Sequence, residues 1–169
     1  MSDIVLPSWL FSLLDAVERW PVSQAIGQGA LFPTFESLHV IGLALVFGSL
    51  LMMDLRLLGL AARRYSVRDL SDDLIPWTLG GFCLAVASGL PMFIVNPTFY
   101  AANPAFLAKM ALLALAGANM LAFRWTVWRA EAAWGAAGAS PPPAAKWAGG
   151  LSLVLWIAII AAGRWIAFF

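Results

Sequence analysis

The chain has 169 residues, of which 62% are hydrophobic and 11% charged, with a mean hydropathy of +0.85. A soluble domain is about a quarter charged, so this chain has too little polar surface for water, and its expected solvent is lipid. The net charge of +1 offers no basic surface to nucleic acid, and the single cysteine, Cys83, excludes an intramolecular disulfide framework and a cysteine-cluster metal site.

The N-terminal stretch MSDIVLPSW has neither a basic nor an apolar leader region, so no cleavable signal peptide is expected. From Pro7 to Trp20, the apolar residues Trp9, Leu10, Leu13, Leu14 and Val17 recur at helical spacing, with Asp15, Glu18 and Arg19 largely opposite. The segment is too short and too charged to span, and predicts an amphipathic helix lying on the bilayer surface. Gly27, Gly29 and Pro33 mark a linker after it.

Four long apolar segments follow, at about residues 34–60, 74–95, 104–128 and 146–169, each near the length that crossing needs. Thr34 is the expected N-cap of the first and Asn103 of the third, with Pro104 at its first helical position. Pro76 is expected in the first turn of the second, and Pro91 in its last. The fold class is therefore all-α: an N-terminal helix and linker over residues 1–33, then an integral membrane four-helix bundle over 34–169. The first loop, ARRYSVRDLSDD, is charged; the second, NPTFYAAN, is short and uncharged; the third, EAAWGAAGASPPPAAK, reads as an unpacked linker. Arg63, Arg64 and Arg68 lie in the first loop and Arg129 and Lys146 flank the third, whereas the second loop has no basic residue. By the positive-inside rule the first and third loops face the cytoplasm, and both termini face the periplasm of a bacterial inner membrane.

Ionisable residues inside a bilayer are costly and become functional candidates. His39 lies five residues past Thr34, Lys109 five past Pro104, and Arg164 five from the chain end. At about 1.5 Å per residue these three reach one layer near the outer surface. Glu36 shares a helix face with His39 and is a candidate partner for its second ring nitrogen. Below Lys109, Leu113, Gly117, Met120 and Arg124 suggest an inward-facing stripe. Deeper still, Asp54 and Arg124 are each fifteen residues further along their helices, which predicts a structural ion pair. Arg56 is expected to snorkel to the cytoplasmic headgroups.

One histidine in the chain restricts the chemistry. Zinc requires at least three protein ligands, and a bis-histidine haem within one chain is excluded. A haem with His39 as one axial ligand fits, with the opposite position open or taken by Lys109, by Met92 or by a symmetry-related chain. Lys109 and Arg164 suit haem propionates. A quinone site is a rival use of the same residues.

The run FESLHVIGLALVFGSLLMMDLRLLGL, with FLAKMALLALAGAN further on, resembles a group of uncharacterised bacterial four-helix inner-membrane proteins over most of the chain. More distantly it is similar to HemJ-type protoporphyrinogen oxidase and to the membrane domain of copper resistance protein D. The HemJ likeness rests on Leu38-His39, Arg56 and Lys109, and implies haem b bound through His39 with Lys109 as its companion. The leading expectation is a haem-b-binding membrane protein with a redox or electron-transfer role near the periplasmic face, partnered by quinone or a redox protein and organised as a homo-oligomer or subunit of a larger complex. The alternatives are a cofactor-free accessory or scaffold subunit, and an oligomeric permease for metal or small solutes.

Overall fold

The computed structural model describes residues 5–168, and among them there are helices and turns but no strand. Helix α1 (Ser8–Glu18) is followed by a second short helix, α2 (Pro21–Gly27), where a linker was expected. The corner between them is closed by side chains: the buried Ser23 hydroxyl donates to the Val17 carbonyl at 2.7 Å, and the Gln24 amide to the Glu18 carbonyl at 2.9 Å. Asp15 and Arg19 pair one turn apart on α1.

The first long helix, α3 (Leu31–Leu58), begins three residues before Thr34, with Ala30 as its N-cap. Thr34 instead turns its hydroxyl back to the Ala30 carbonyl at 2.7 Å. Pro33 falls in the first turn, where N–H groups have no intrahelical partner, so its missing donor costs nothing. Gly59 ends the helix with φ +76°, its N–H reaching the Arg56 carbonyl while that of Leu60 reaches Leu55.

Helix α4 (Val67–Val95) starts seven residues before Leu74 because Ser66 caps it, accepting from the Asp69 N–H at 3.0 Å. Half of the charged first loop is thus helical, and Pro76 falls well inside the helix. The second loop contains a helix of its own, α5 (Pro97–Ala102), capped by Asn96. Helix α6 (Pro104–Trp125) is capped by Asn103 as expected, the amide oxygen accepting from the Ala105 and Phe106 N–H groups. A 3-10 turn (Trp128–Ala130) and a short α7 (Glu131–Trp134) lead to α8 (Pro143–Trp165) and a final 3-10 turn, Ile166–Phe168. Phe169, the expected end of the last span, lies outside the described residues. Four of these helices are long and apolar enough to cross a membrane, and their outward surfaces carry large apolar side chains suited to a lipid bilayer.

The helices do not pack equally. Helix α3 packs closely on α4 and also on α8, and α8 packs on α6, whereas α4 and α6 share no extended contact. Glycines set the spacing. A Cβ placed on Gly42 would fall 2.8 Å from the Ala85 nitrogen and 2.9 Å from the Gly81 oxygen, and one on Gly81 would fall 2.9 Å from the Gly42 oxygen. Gly149 gives α8 the same access to α3 beside Asp54 and Leu57. The buried side of α6 is formed by Leu112, Leu113 and Ala116 against Leu155 and Ile159 of α8. The expected stripe is therefore only partly inward: Leu113 belongs to it, but Met120 is 61% exposed and Arg124 is exposed.

The end of the bundle that carries Arg56 is closed by the first and third loops acting together. The Val67 N–H donates to the Gly135 carbonyl at 2.8 Å and the Gly138 N–H to the Arg63 carbonyl at 2.7 Å. Arg68 pairs at 3.0 Å with Glu131, which is 4% exposed. The third loop is thus packed, contrary to its linker-like composition, because its backbone supplies partners to the first. Arg56 does not snorkel. It is fully buried, donating from Nε to the Tyr65 carbonyl and from a terminal nitrogen to the Ala136 carbonyl, each at 3.1 Å.

The expected Asp54–Arg124 ion pair does not form. Asp54 is buried at the α3–α8 contact and faces the Ser152 hydroxyl, while Arg124 lies on α6, which does not pack extensively on α3, and stacks its guanidinium 5.3 Å from the Trp128 ring. A double-mutant cycle of Asp54→Asn and Arg124→Gln, read by unfolding in detergent, is expected to give a coupling energy within about 0.5 kcal/mol of zero. A coupling of several times that size would restore the pair.

Candidate functional site

The site is built at the opposite end, where α3 and α4 run in backbone contact. Because Gly42 and Gly81 let the two helices approach, His39, one turn from Gly42, lies directly against α4. Its Nδ1 is 2.8 Å from the Ala85 carbonyl oxygen and 3.4 Å from the Ser88 hydroxyl. A carbonyl only accepts, so Nδ1 carries the proton and donates. The neutral imidazole then holds its lone pair on Nε2, the ring nitrogen that has no hydrogen-bond partner among the described residues. Gly89 makes room for the ring: a Cβ there would lie 3.0 Å from His39 Cε1 and 3.2 Å from Nδ1. Ser88 is itself held, its hydroxyl donating to the Leu84 carbonyl at 2.6 Å.

Lys109 reaches the same layer from α6. Its side chain runs alongside Gly163 of α8, where a Cβ would meet Cδ and Nζ at 3.7 Å, and no carboxylate pairs with it among the described residues. The ammonium is within electrostatic reach of His39. Lys109 and His39 thus come within reach of each other, although the Thr34 cap signal from which their depth was counted is not the cap of α3. Met92 is half-buried, one turn beyond Ser88 and Gly89 on the stripe of α4 that begins at Ala85.

Two expected members are placed differently. Glu36 is exposed and forms no hydrogen bond or ion pair with His39; the Ala85 carbonyl holds the position it was expected to fill. Arg164 is exposed, with its guanidinium 5.8 Å from the Phe168 ring. Helix α5 adds a residue that the sequence did not mark. Tyr100 belongs to an aromatic cluster with Phe93 of α4, 6.0 Å away, and Phe106 of α6, 5.4 Å away, which links those two helices at this end. Burial, with the Glu36 carboxylate nearby, pushes the Tyr100 phenol above its ordinary value, so at neutral pH it is a neutral hydrogen-bonding group at the rim. Thr98 on the same helix donates to the Glu18 carboxylate at 2.8 Å and ties α1 over the cluster.

Ala85 had no signal in the sequence, since its contribution is a main-chain carbonyl. Gly89 had one: a glycine inside a span often marks close approach. No group of three His, Cys, Asp or Glu residues able to hold a bare metal ion exists among the described residues.

Over residues 23–169 the sequence matches a family of unknown function, DUF6644. The chain belongs to that family. No curated protein and no solved structure matches it. The DUF6644 match takes in all four spanning helices, His39 and Lys109 included, and leaves out α1.

Proposed function

We propose that this DUF6644 protein binds haem b at the His39 end and serves a redox or electron-transfer role there. The observation that carries the reading is the state of His39: Nδ1–H is committed to the Ala85 carbonyl, which fixes the tautomer and leaves Nε2 as the ligand atom. Metal-bound histidines are oriented in this way by a carbonyl or carboxylate on the other nitrogen. The donor set fits a haem better than a bare ion, because the protein provides one imidazole and the porphyrin supplies four nitrogens of its own. Gly89 lets the ring seat directly against α4, and Lys109, unpaired by any carboxylate, suits a propionate. Met92 is the residue of α4 best spaced to approach from beyond Gly89. When bound, the haem would supply one-electron chemistry. The chain's own residues would fix the imidazole and bring a positive charge within reach of it.

The distribution of basic residues supports an orientation. Arg63, Arg64, Arg68, Arg129 and Lys146 all lie in or beside the two loops at the Arg56 end, which by the positive-inside rule favours a cytoplasmic Arg56 end and a His39 end toward the periplasm of a bacterial inner membrane. A quinone or a periplasmic redox protein is the partner such a site would serve. The resemblance to HemJ-type oxidases read from Leu38-His39, Arg56 and Lys109 implies the same ligand.

The test is an absorbance spectrum of the detergent-purified protein, oxidised and then reduced, for wild type, His39→Ala and Lys109→Ala. A haem spectrum in wild type, lost in His39→Ala and retained with weaker haem affinity in Lys109→Ala, is expected. A colourless wild type after expression with haem precursor would overturn the reading and leave a cofactor-free accessory subunit in its place.

A further inference from the structure

The Arg56 end holds a second cluster of side chains, independent of the haem reading. Arg56 is fully buried with no carboxylate in contact; the one buried carboxylate of the two loops, Glu131, is taken by Arg68. Two of its guanidinium nitrogens are satisfied by the Tyr65 and Ala136 carbonyls, but the third, Nη1, is buried with no partner in the protein. The Trp134 indole N–H is in the same state. Among the described residues these are the only two buried side-chain polar atoms left unpaired.

The two belong to one seam. Trp134 packs against the Leu57, Val67 and Ala145 cluster, Leu57 follows Arg56 in the chain, and Ala136, which accepts from Arg56, is two residues beyond Trp134. Arg63, exposed at the mouth of the seam, lies within electrostatic reach of Arg56 and has no ion pair. Both orphan atoms are donors, and both charges are positive. A buried unpaired donor costs about 1–3 kcal/mol, more when it is charged, so the seam is suited to an acceptor that carries negative charge.

We propose that Arg56, Trp134 and Arg63 bind a phosphate-type oxyanion, either free phosphate or the headgroup of an anionic phospholipid. The Arg56 Nη1 and the indole N–H donate to its oxygens, and Arg63 supplies further positive charge. Residues 134–138 meet Arg56 through the Ala136 carbonyl, and this segment contains Gly135 and Gly138, the latter with φ +78°. If the seam faces the cytoplasm, it meets the leaflet surface where anionic headgroups and soluble phosphate are both present.

The experiment is thermal unfolding of the full chain, in neutral detergent titrated with inorganic phosphate, and separately in mixed micelles containing phosphatidylglycerol or phosphatidylcholine. A ligand that binds only the folded state raises Tm with concentration. A rise with phosphate alone identifies the free anion, and a rise with phosphatidylglycerol over phosphatidylcholine alone identifies the lipid headgroup. Trp134→Phe keeps an aromatic side chain but removes the indole N–H along with the five-membered ring, and is expected to weaken the apparent affinity about tenfold. Arg63→Ala, at an exposed position, is expected to weaken it as well. No shift with either probe overturns the proposal, and so does a shift that Trp134→Phe and Arg63→Ala both leave at the wild-type value.

Discussion

Replacing Arg56 by alanine is expected to destabilise the protein by about 3 kcal/mol, measured by unfolding in detergent. Two effects oppose each other. Removing a guanidinium from a dry interior relieves its desolvation, which is why a buried charge is not in itself evidence of stability. Against that, the Tyr65 and Ala136 carbonyls each lose their Arg56 donor, and the truncated side chain leaves a cavity. The second set is larger because alanine can neither donate nor fill the space. Arg56→Met, which restores volume without donors, is expected to recover part of the loss and thereby separate cavity from hydrogen bonding. Because the lost bonds run to both loops, increased proteolysis between residues 134 and 142 should accompany the change in stability. An Arg56→Ala protein as stable as wild type would show that the two loops are held together without it.

Gly42→Ala is expected to damage both the fold and the His39 site. The added methyl would lie 2.8 Å from the Ala85 nitrogen and 2.9 Å from the Gly81 oxygen, and these are main-chain atoms with no rotamer to change. The helices must separate, at a cost of about 1–3 kcal/mol. Ala85 is also the residue whose carbonyl orients His39. A shift of α4 away from α3 therefore lengthens that hydrogen bond, and, on the proposed haem reading, a perturbed haem spectrum or weaker haem retention is expected along with the fall in Tm. Gly81→Ala strains the same contact from the other helix, so the double variant should cost less than the two single costs added. Gly48→Ala is the control, since a Cβ there meets nothing within 4 Å. Equal effects from Gly42→Ala and Gly48→Ala would show that helix propensity, rather than the α3–α4 contact, was being measured.

The sequence by itself determined the all-α class, the suitability for a lipid bilayer and the number of helices able to span it. Those properties follow from composition and from the fixed rise of a helix, and need no knowledge of which helix touches which. Asn103 caps α6 as its position requires, but α3 starts at Leu31 rather than at Thr34, so His39 lies eight residues past its helix start and Lys109 five past its own. Which side chains meet was decided by the tertiary structure. Asp54 and Arg124, expected at one depth, do not pair, because α3 packs on α4 and α8 while α6 packs on α8. Depth is one coordinate, and rotation about the helix axis and the order of helices around the bundle are the others. The same holds for Glu36: it lies three residues before His39, but the imidazole took a main-chain carbonyl from α4, a partner that no residue type announces. The third loop misled by composition, since Ala, Gly and Pro have little side chain to pack. Their carbonyls and N–H groups nonetheless hold the first loop, and they turned Arg56 from an expected headgroup anchor into a buried clasp. Backbone hydrogen bonding between distant segments depends on where the chain passes rather than on what it is made of, and for that reason only the folded structure reveals it.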